Sequence, residues 1–252
     1  MKISKYLLFT GIFISLLFYQ CSTAGSGGKK NIQTGASRML EYIPSIEDKS
    51  IAVVANHTSL VNNTHLVDTL LSQEIDLKKI FSPEHGFRGT ASAGEKLNNH
   101  IDTATGLPVI SLYGSARKPA AKDLAGIDRV IFDIQDVGVR FYTYISTLHY
   151  VMEACAEEDI PVMVLDRPNP NGFFIDGPVL KKEYRSFVGM HPIPLVHGMT
   201  MGEIARMING EKWLKDSLKC RLTVIPCKGY KHTDTYQLPV KPSPNLPNMK
   251  SV

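Results

Sequence analysis

Short β-branched runs alternate with helix-spaced segments along this chain, and that alternation constrains the fold more than any other feature. SIAVVANHTS (50–59) is an apolar run that ends in polar residues, and NNTHLVDTLLSQ (62–73) follows it with Leu66, Thr69, Leu70 and Gln73 along one helical side. LKKIFS (77–82), LPVISLYG (107–114), DRVIFDIQD (128–136) and IPVMVLDRP (160–168) repeat the pattern, each closing in a polar or glycine-containing loop. Runs that are apolar almost throughout suit strands covered on both faces. Between the last two, Phe141, Tyr144, Ile145, Leu148, Val151, Met152 and Cys155 recur at three and four and read as a core helix stripe. Right-handed crossovers then predict an α/β fold with a doubly wound, mostly parallel sheet over about residues 45–180. A helix at 200–211 and a strand at 221–227 extend the same layer.

The ends of the chain read differently. MKISKYLLFTGIFISLLFYQC carries Lys2 and Lys5, an apolar stretch from Tyr6 to Tyr19, and then Cys21 before STAGSGG. That stretch is short of the ~20 residues a membrane span needs, so residues 1–21 read as an export signal of the lipoprotein type with Cys21 as the lipidated residue. The expected location is the periplasm or cell envelope, with a lipid anchor in the membrane. Residues 22–44 read as linker and lead-in, 45–228 as the α/β domain, and 229–252 as the start of a smaller C-terminal domain. Cys155, Cys220 and Cys227 predict no disulfide: on a strand, Cys220 and Cys227 stand too far apart to bridge. No CxxC or HExxH pattern occurs, so no metal site is expected. Basic and acidic residues, 28 and 24, are spread along the chain without aromatic interleaving, which sets nucleic acid aside as a partner.

In open parallel sheets the ligand sits beyond the carboxyl ends of the strands, and the chemistry-bearing residues of this chain cluster there. Asn56, His57 and Ser59 follow the first strand, Glu84, His85 and Arg88 the second, and Tyr113 the third. Asp133, Gln135, Asp136 and Arg140 follow the fourth, and Asp166, Arg167 and Asn169 the fifth. No GxGxxG, GxxxxGK[ST] or GxSxG follows a strand, so neither a nucleotide cofactor nor a serine nucleophile is indicated. Carboxylate acid–base chemistry remains, with Glu84 the best placed: Pro83 stiffens its approach, Gly86 and Gly89 permit a sharp bend, and His85 and Arg88 could hold or tune it. The plainer alternatives are an ion pair between Glu84 and Arg88, helix capping by Asp133 and Asp136, a rigid turn at 166–170, and structural roles for His57 and His197.

F-S-P-E-H-G-F-R-G (81–89), A-G-E (93–95), T-G-L-P-V-I-S-L-Y-G (105–114), F-D-I-Q-D-V-G-V-R-F-Y-T-Y (132–144), L-D-R-P-N-P-N-G (165–172) and P-S-P-N-L-P (242–247) resemble the exo-β-N-acetylmuramidase family. The resemblance runs from about residue 50 to the end. It implies a Rossmann-like domain joined to a smaller C-terminal one, most of which this chain lacks. It also implies a glycoside hydrolase releasing N-acetylmuramic acid from the non-reducing end of peptidoglycan fragments, with no cofactor. Glu84 matches the family's catalytic glutamate. Its partner stays open among Asp133, Asp136, Asp166, Glu95 and a tyrosine such as Tyr142. Arg140 and Arg167 are the candidates to grip the lactyl carboxylate, because a guanidinium binds it bidentately. A non-catalytic sugar-binding lipoprotein would use the same rim. A metal-dependent hydrolase would draw on His57, Glu84, His85 and Asp133.

Overall fold

Five β-branched and apolar runs become the parallel strands that the pattern predicts, in a computed structural model that describes residues 31–88, 98–243 and 246. In chain order the strands are β1 (Ile51–Ala55), β2 (Leu60–Val61), β3 (Thr64–His65), β4 (Leu77–Ser82), β5 (His100–Ile101), β6 (Pro108–Ser111), β7 (Arg129–Asp133), β8 (Val162–Leu165) and β9 (Leu222–Ile225). The helices are α1 (Met39–Tyr42), α2 (Leu66–Ser72), α3 (Ala121–Leu124), α4 (Tyr144–Glu157) and α5 (Met201–Gly210). Seven strands form one sheet in the order β5-β6-β4-β1-β7-β8-β9, parallel except for the edge pair β5–β6. Counting only the parallel strands, the order is third, second, first, fourth, fifth, sixth. The chain therefore winds outward from β1 through β4, then returns to lay β7 on the other side of β1. That reversal opens a crevice at the carboxyl ends of β1, β4 and β7.

The strand period divides the core between the two faces of the sheet. Ala52, Val54 and Phe132 point to the side covered by α4 and α5. Ile51, Val53, Ala55 and Ile131 point to the side covered by α2 and by Tyr42 of α1. Burying each such large aliphatic or aromatic side chain stabilises by about 1.5–3 kcal/mol. Helix α5 begins with a capping box, in which Thr200 accepts from the Glu203 amide and the Glu203 carboxylate accepts from the Thr200 amide.

Three details differ from the sequence reading. The segment before β1 is not all linker, since Tyr42 is fully buried, its hydroxyl donates to the Ala36 carbonyl, and the Gly35 amide donates to the Asp166 carbonyl. A two-stranded hairpin, β2–β3, precedes α2, so that helix starts only at Leu66, with His65 as its cap. Helix α4 starts at Tyr144 and leaves Phe141 53% exposed, outside the core stripe. The expected export signal with Cys21, and Glu95, lie outside the described residues. Cys155, Cys220 and Cys227 are free thiols.

Candidate active site

The turn after β4 holds Glu84 at the sheet's switch point. The Gly86 amide donates back to the Pro83 carbonyl at 3.2 Å, closing a tight turn around Glu84 and His85. His85 sits at φ 68° and Gly86 at 79°. Glycine takes such a backbone freely, whereas histidine takes it at a cost, and strained residues of this kind concentrate at functional sites. Arg88 does not pair with Glu84. It forks onto Asp102 (2.9 and 3.3 Å), lies 3.5 Å from Asp68 and covers the Phe87 ring. The hydrogen bonds that Arg88 donates to Asp102 hold its guanidinium above its ordinary pKa, so the plainer reading of Glu84 as its surface ion-pair partner is not what the structure shows. Among the described residues, no ion pair engages the Glu84 carboxylate.

A cleft of about 270 Å³ opens over this turn. Glu84 and His85 contribute from the turn after β4, Val137, Val139 and Phe141 from the loop after β7, and Tyr142 to Tyr144 from the start of α4. Ser243 and Leu246 supply a further wall from the end of the chain. Tyr144 ties the site to β1: its hydroxyl accepts from Asn56 Nδ2 at 2.9 Å, while Asn56 Oδ1 is filled by the amide and hydroxyl of Thr58. Burial pushes the Tyr144 hydroxyl above the ordinary tyrosine range, and the charges of Glu84 and Asp136 add to the rise. Glu84 and Asp136 therefore both lie within electrostatic reach of one phenol. Asp136 is 4% exposed. Its Oδ2 accepts from the Gly138 amide at 2.8 Å and stands 3.5 Å from His197 Nε2, while its Oδ1 has no hydrogen-bond partner among the described residues.

Several residues expected at the rim are committed elsewhere. Asp133 and Arg167 form a bidentate ion pair, Nε to Oδ1 at 2.6 Å and Nη2 to Oδ2 at 2.9 Å, with both side chains almost completely buried. Arg167 also donates to the Leu60 carbonyl. This corrects the expectation that Asp133 acts on substrate and that Arg167 grips its carboxylate: adjacent parallel strands bring the two ends together, and each neutralises the other. Arg140 donates from Nη1 to the carbonyls of Pro178 and Ile193. Asp166 accepts from Thr200 Oγ1, the Gly202 amide and the Arg167 amide, and so anchors the start of α5; burial raises its pKa to about 6 against those three donors. Asn169 bonds the Met199 carbonyl and the Asn171 amide, stabilising a turn. Tyr113 is half-buried beyond β6, outside the residues that line the cleft.

Tyr142 and His57, expected in catalysis and binding, instead hold backbone. The Tyr142 hydroxyl donates to the Pro242 carbonyl at 2.8 Å, and His57 Nε2 lies 2.7 Å from the Lys241 carbonyl. A metal set of His57, Glu84, His85 and Asp133 does not gather, because Asp133 is closed on Arg167; among the described residues no group of three or more potential metal ligands converges. Sequence reasoning missed the apolar lining of Val137, Val139 and Leu246, and the role of Tyr144, which it placed only in the helix stripe. The motif ending in P-S-P-N-L-P was visible but carried no assigned role.

A doubly wound α/β domain with a carboxylate-bearing cleft at its switch point, and no GxGxxG or GxxxxGK[ST] motif after a strand, is the class that fold and site define. The profile described as "Exo-beta-N-acetylmuramidase NamZ, N-terminal" matches residues 51–250. The chain is 47% identical over 233 residues to the "Peptidoglycan beta-N-acetylmuramidase NamZ" of Bacillus subtilis (strain 168), covering 88% of this chain and 55% of that protein. Two crystal structures of DUF1343 family proteins from Bacteroides fragilis NCTC 9343 superpose with TM-scores of 0.80 and 0.81. They are 50% and 38% identical to this chain, which they cover by 87% and 89%, and it spans 58% of each. The chain belongs to the exo-β-N-acetylmuramidase family, matching its N-terminal part. It spans about half the length of the curated relative.

Proposed function

We propose that this chain supplies the catalytic cleft of an exo-acting glycoside hydrolase that releases N-acetylmuramic acid from the non-reducing end of peptidoglycan fragments. The carrying observation is Glu84, a carboxylate with no ion-pair partner among the described residues, presented into a largely apolar cleft by a tight turn at the switch point. The name of the Bacillus relative supports the substrate class. Glycoside hydrolysis needs two carboxyls, one giving a proton to the leaving oxygen and one assisting attack at the anomeric carbon. Glu84 takes the first role. Asp136 is the remaining candidate partner: it directly precedes the cleft-lining Val137, and its charge, like that of Glu84, raises the Tyr144 hydroxyl, whereas Asp133 and Asp166 are spent on Arg167 and on the start of α5. The apolar lining suits the C–H face of a pyranose.

Glu84→Gln keeps the shape and removes the titratable proton. It should lower turnover of a chromogenic N-acetylmuramic acid glycoside by ~10²–10⁴-fold while leaving sugar affinity nearly intact. A loss milder than about tenfold removes Glu84 from this role. Wild-type protein that binds the sugar without turning it over would make the chain a binding module, and loss of turnover with chelator would bring in a metal. We further propose that the protein works at the cell envelope, tethered through Cys21; the support is the basic and apolar character of residues 1–20 and the small-residue linker after them. Metabolic labelling with a fatty-acid probe tests this, and equal labelling of Cys21→Ala would refute it.

A further inference from the structure

Ser243 and Leu246, neither of them in a helix or strand, line the Glu84 cleft. Two consecutive carbonyls just before Ser243 are each met by a side chain from a different part of the rim. His57, in the loop after β1, reaches the Lys241 carbonyl. Tyr142, at the threshold of α4, reaches the Pro242 carbonyl. A carbonyl only accepts, so His57 carries its proton on Nε2, and the Tyr142 hydroxyl is the donor in its own bond.

The tyrosine is itself held in place. Its ring meets Tyr144 edge-on at 4.7 Å, and Tyr144 is fixed by Asn56, whose amide orientation is set by Thr58. A line of contacts thus runs from the end of β1 through Asn56, Tyr144 and Tyr142 to the chain's last described stretch. Pro242 has no amide of its own to donate. These two side-chain bonds hold the backbone just before Ser243, and Tyr142 also hydrogen-bonds the Ser243 side chain.

We propose that His57 and Tyr142 are positioning residues that clamp the 241–243 backbone as a wall of the sugar site, so that Ser243 and Leu246 form a substrate-contacting surface. This rests on the hydrolase reading above. It assigns Tyr142 to binding through Pro242 and not to the reacting atoms.

The experiment compares Tyr142→Phe, His57→Ala and His57→Gln, the last retaining an amide N–H that can replace the imidazole donor. Amide exchange of peptides covering 238–246 is followed by mass spectrometry, alongside kcat and KM for the chromogenic glycoside. Tyr142→Phe and His57→Ala should each speed exchange in that stretch and raise KM by about threefold to tenfold, the worth of one hydrogen bond. The kcat should stay within about twofold, as expected when binding common to ground and transition states is removed. His57→Gln should recover most of both losses. Unchanged exchange in both variants overturns the clamp. Faster exchange with unchanged KM overturns the wall, and a fall in kcat at constant KM for Tyr142→Phe returns that hydroxyl to the chemistry. If the wild type shows no turnover, the hydrolase reading fails by itself, and the clamp is then judged by exchange and by calorimetric affinity for N-acetylmuramic acid, with equal affinity in all variants counting against it.

Discussion

Removing the Arg167 guanidinium should destabilise the fold far more than it alters sugar recognition. In Arg167→Ala the Asp133 carboxylate, completely buried at the end of β7, loses both of its short bonds, at 2.6 and 2.9 Å, and the Leu60 carbonyl loses its donor. An uncompensated buried charge of this kind typically costs about 3–5 kcal/mol. At roughly 2–4 °C per kcal/mol for a domain of this size, the melting temperature should fall by about 6–20 °C. Arg167→Lys should lie between, since an ammonium cannot occupy both carboxylate oxygens with fork geometry. The double variant Asp133→Leu, Arg167→Met should recover much of the loss, because neither charge is then stranded. Urea titrations and thermal melts of the four proteins provide the measurement. A loss below about 1 kcal/mol for Arg167→Ala, or selective loss of N-acetylmuramic acid binding at unchanged stability, would refute the assignment of this pair to the core.

Acid should weaken the contact between α4 and the 190–199 loop. His149 Nδ1 lies 3.0 Å from His191 Nε2, His191 stacks on Trp213, and Glu153 and Arg185 are the nearby charges. Burial pulls the His149 pKa below its ordinary value and takes His191 down to about 3. The unfolded chain therefore binds protons first: this contribution to stability is complete above pH ~6.5 and is lost progressively as pH falls toward the folded values. Urea midpoints across that range should fall less steeply in His191→Phe, and an identical slope would dismiss the pair as the source. Thr200→Ala removes both the α5 capping bond and the bond to Asp166, and should cost about 1–2 kcal/mol in a denaturant melt; a change of a few tenths would show that water replaces the cap. In Gly202→Ala the new methyl would meet Val224 Cγ1 at 2.6 Å and the Asp166 carboxyl at 2.8 Å, so a destabilisation of about 1–3 kcal/mol is expected, and a neutral melt would contradict the tight packing.

By itself the sequence determined the layers of this protein. Residues such as Ile51 to Ala55 and Val162 to Leu165 are apolar on both sides of the strand and can rest only in a sheet covered on both faces. The stripe from Tyr144 to Cys155 and the segment 200–211 announce α4 and α5, because helix period is a local property, written within a few consecutive residues. The turn at Pro83 to Gly86 was legible for the same reason. Tertiary structure alone decided which polar residues stay available for chemistry. Asp133 and Arg167 are 34 positions apart and meet because β7 and β8 lie side by side. Arg140 finds its carbonyl partners about forty and fifty positions along the chain, and Tyr142 finds its partner a hundred residues away. A side chain's burial and its partner depend on contacts between distant segments, and no local period encodes them; the rim could therefore be drawn from the sequence, while the separation of Glu84, which lines the cleft, from Asp133, Asp166 and Arg167, which are bonded within the scaffold, required the folded chain.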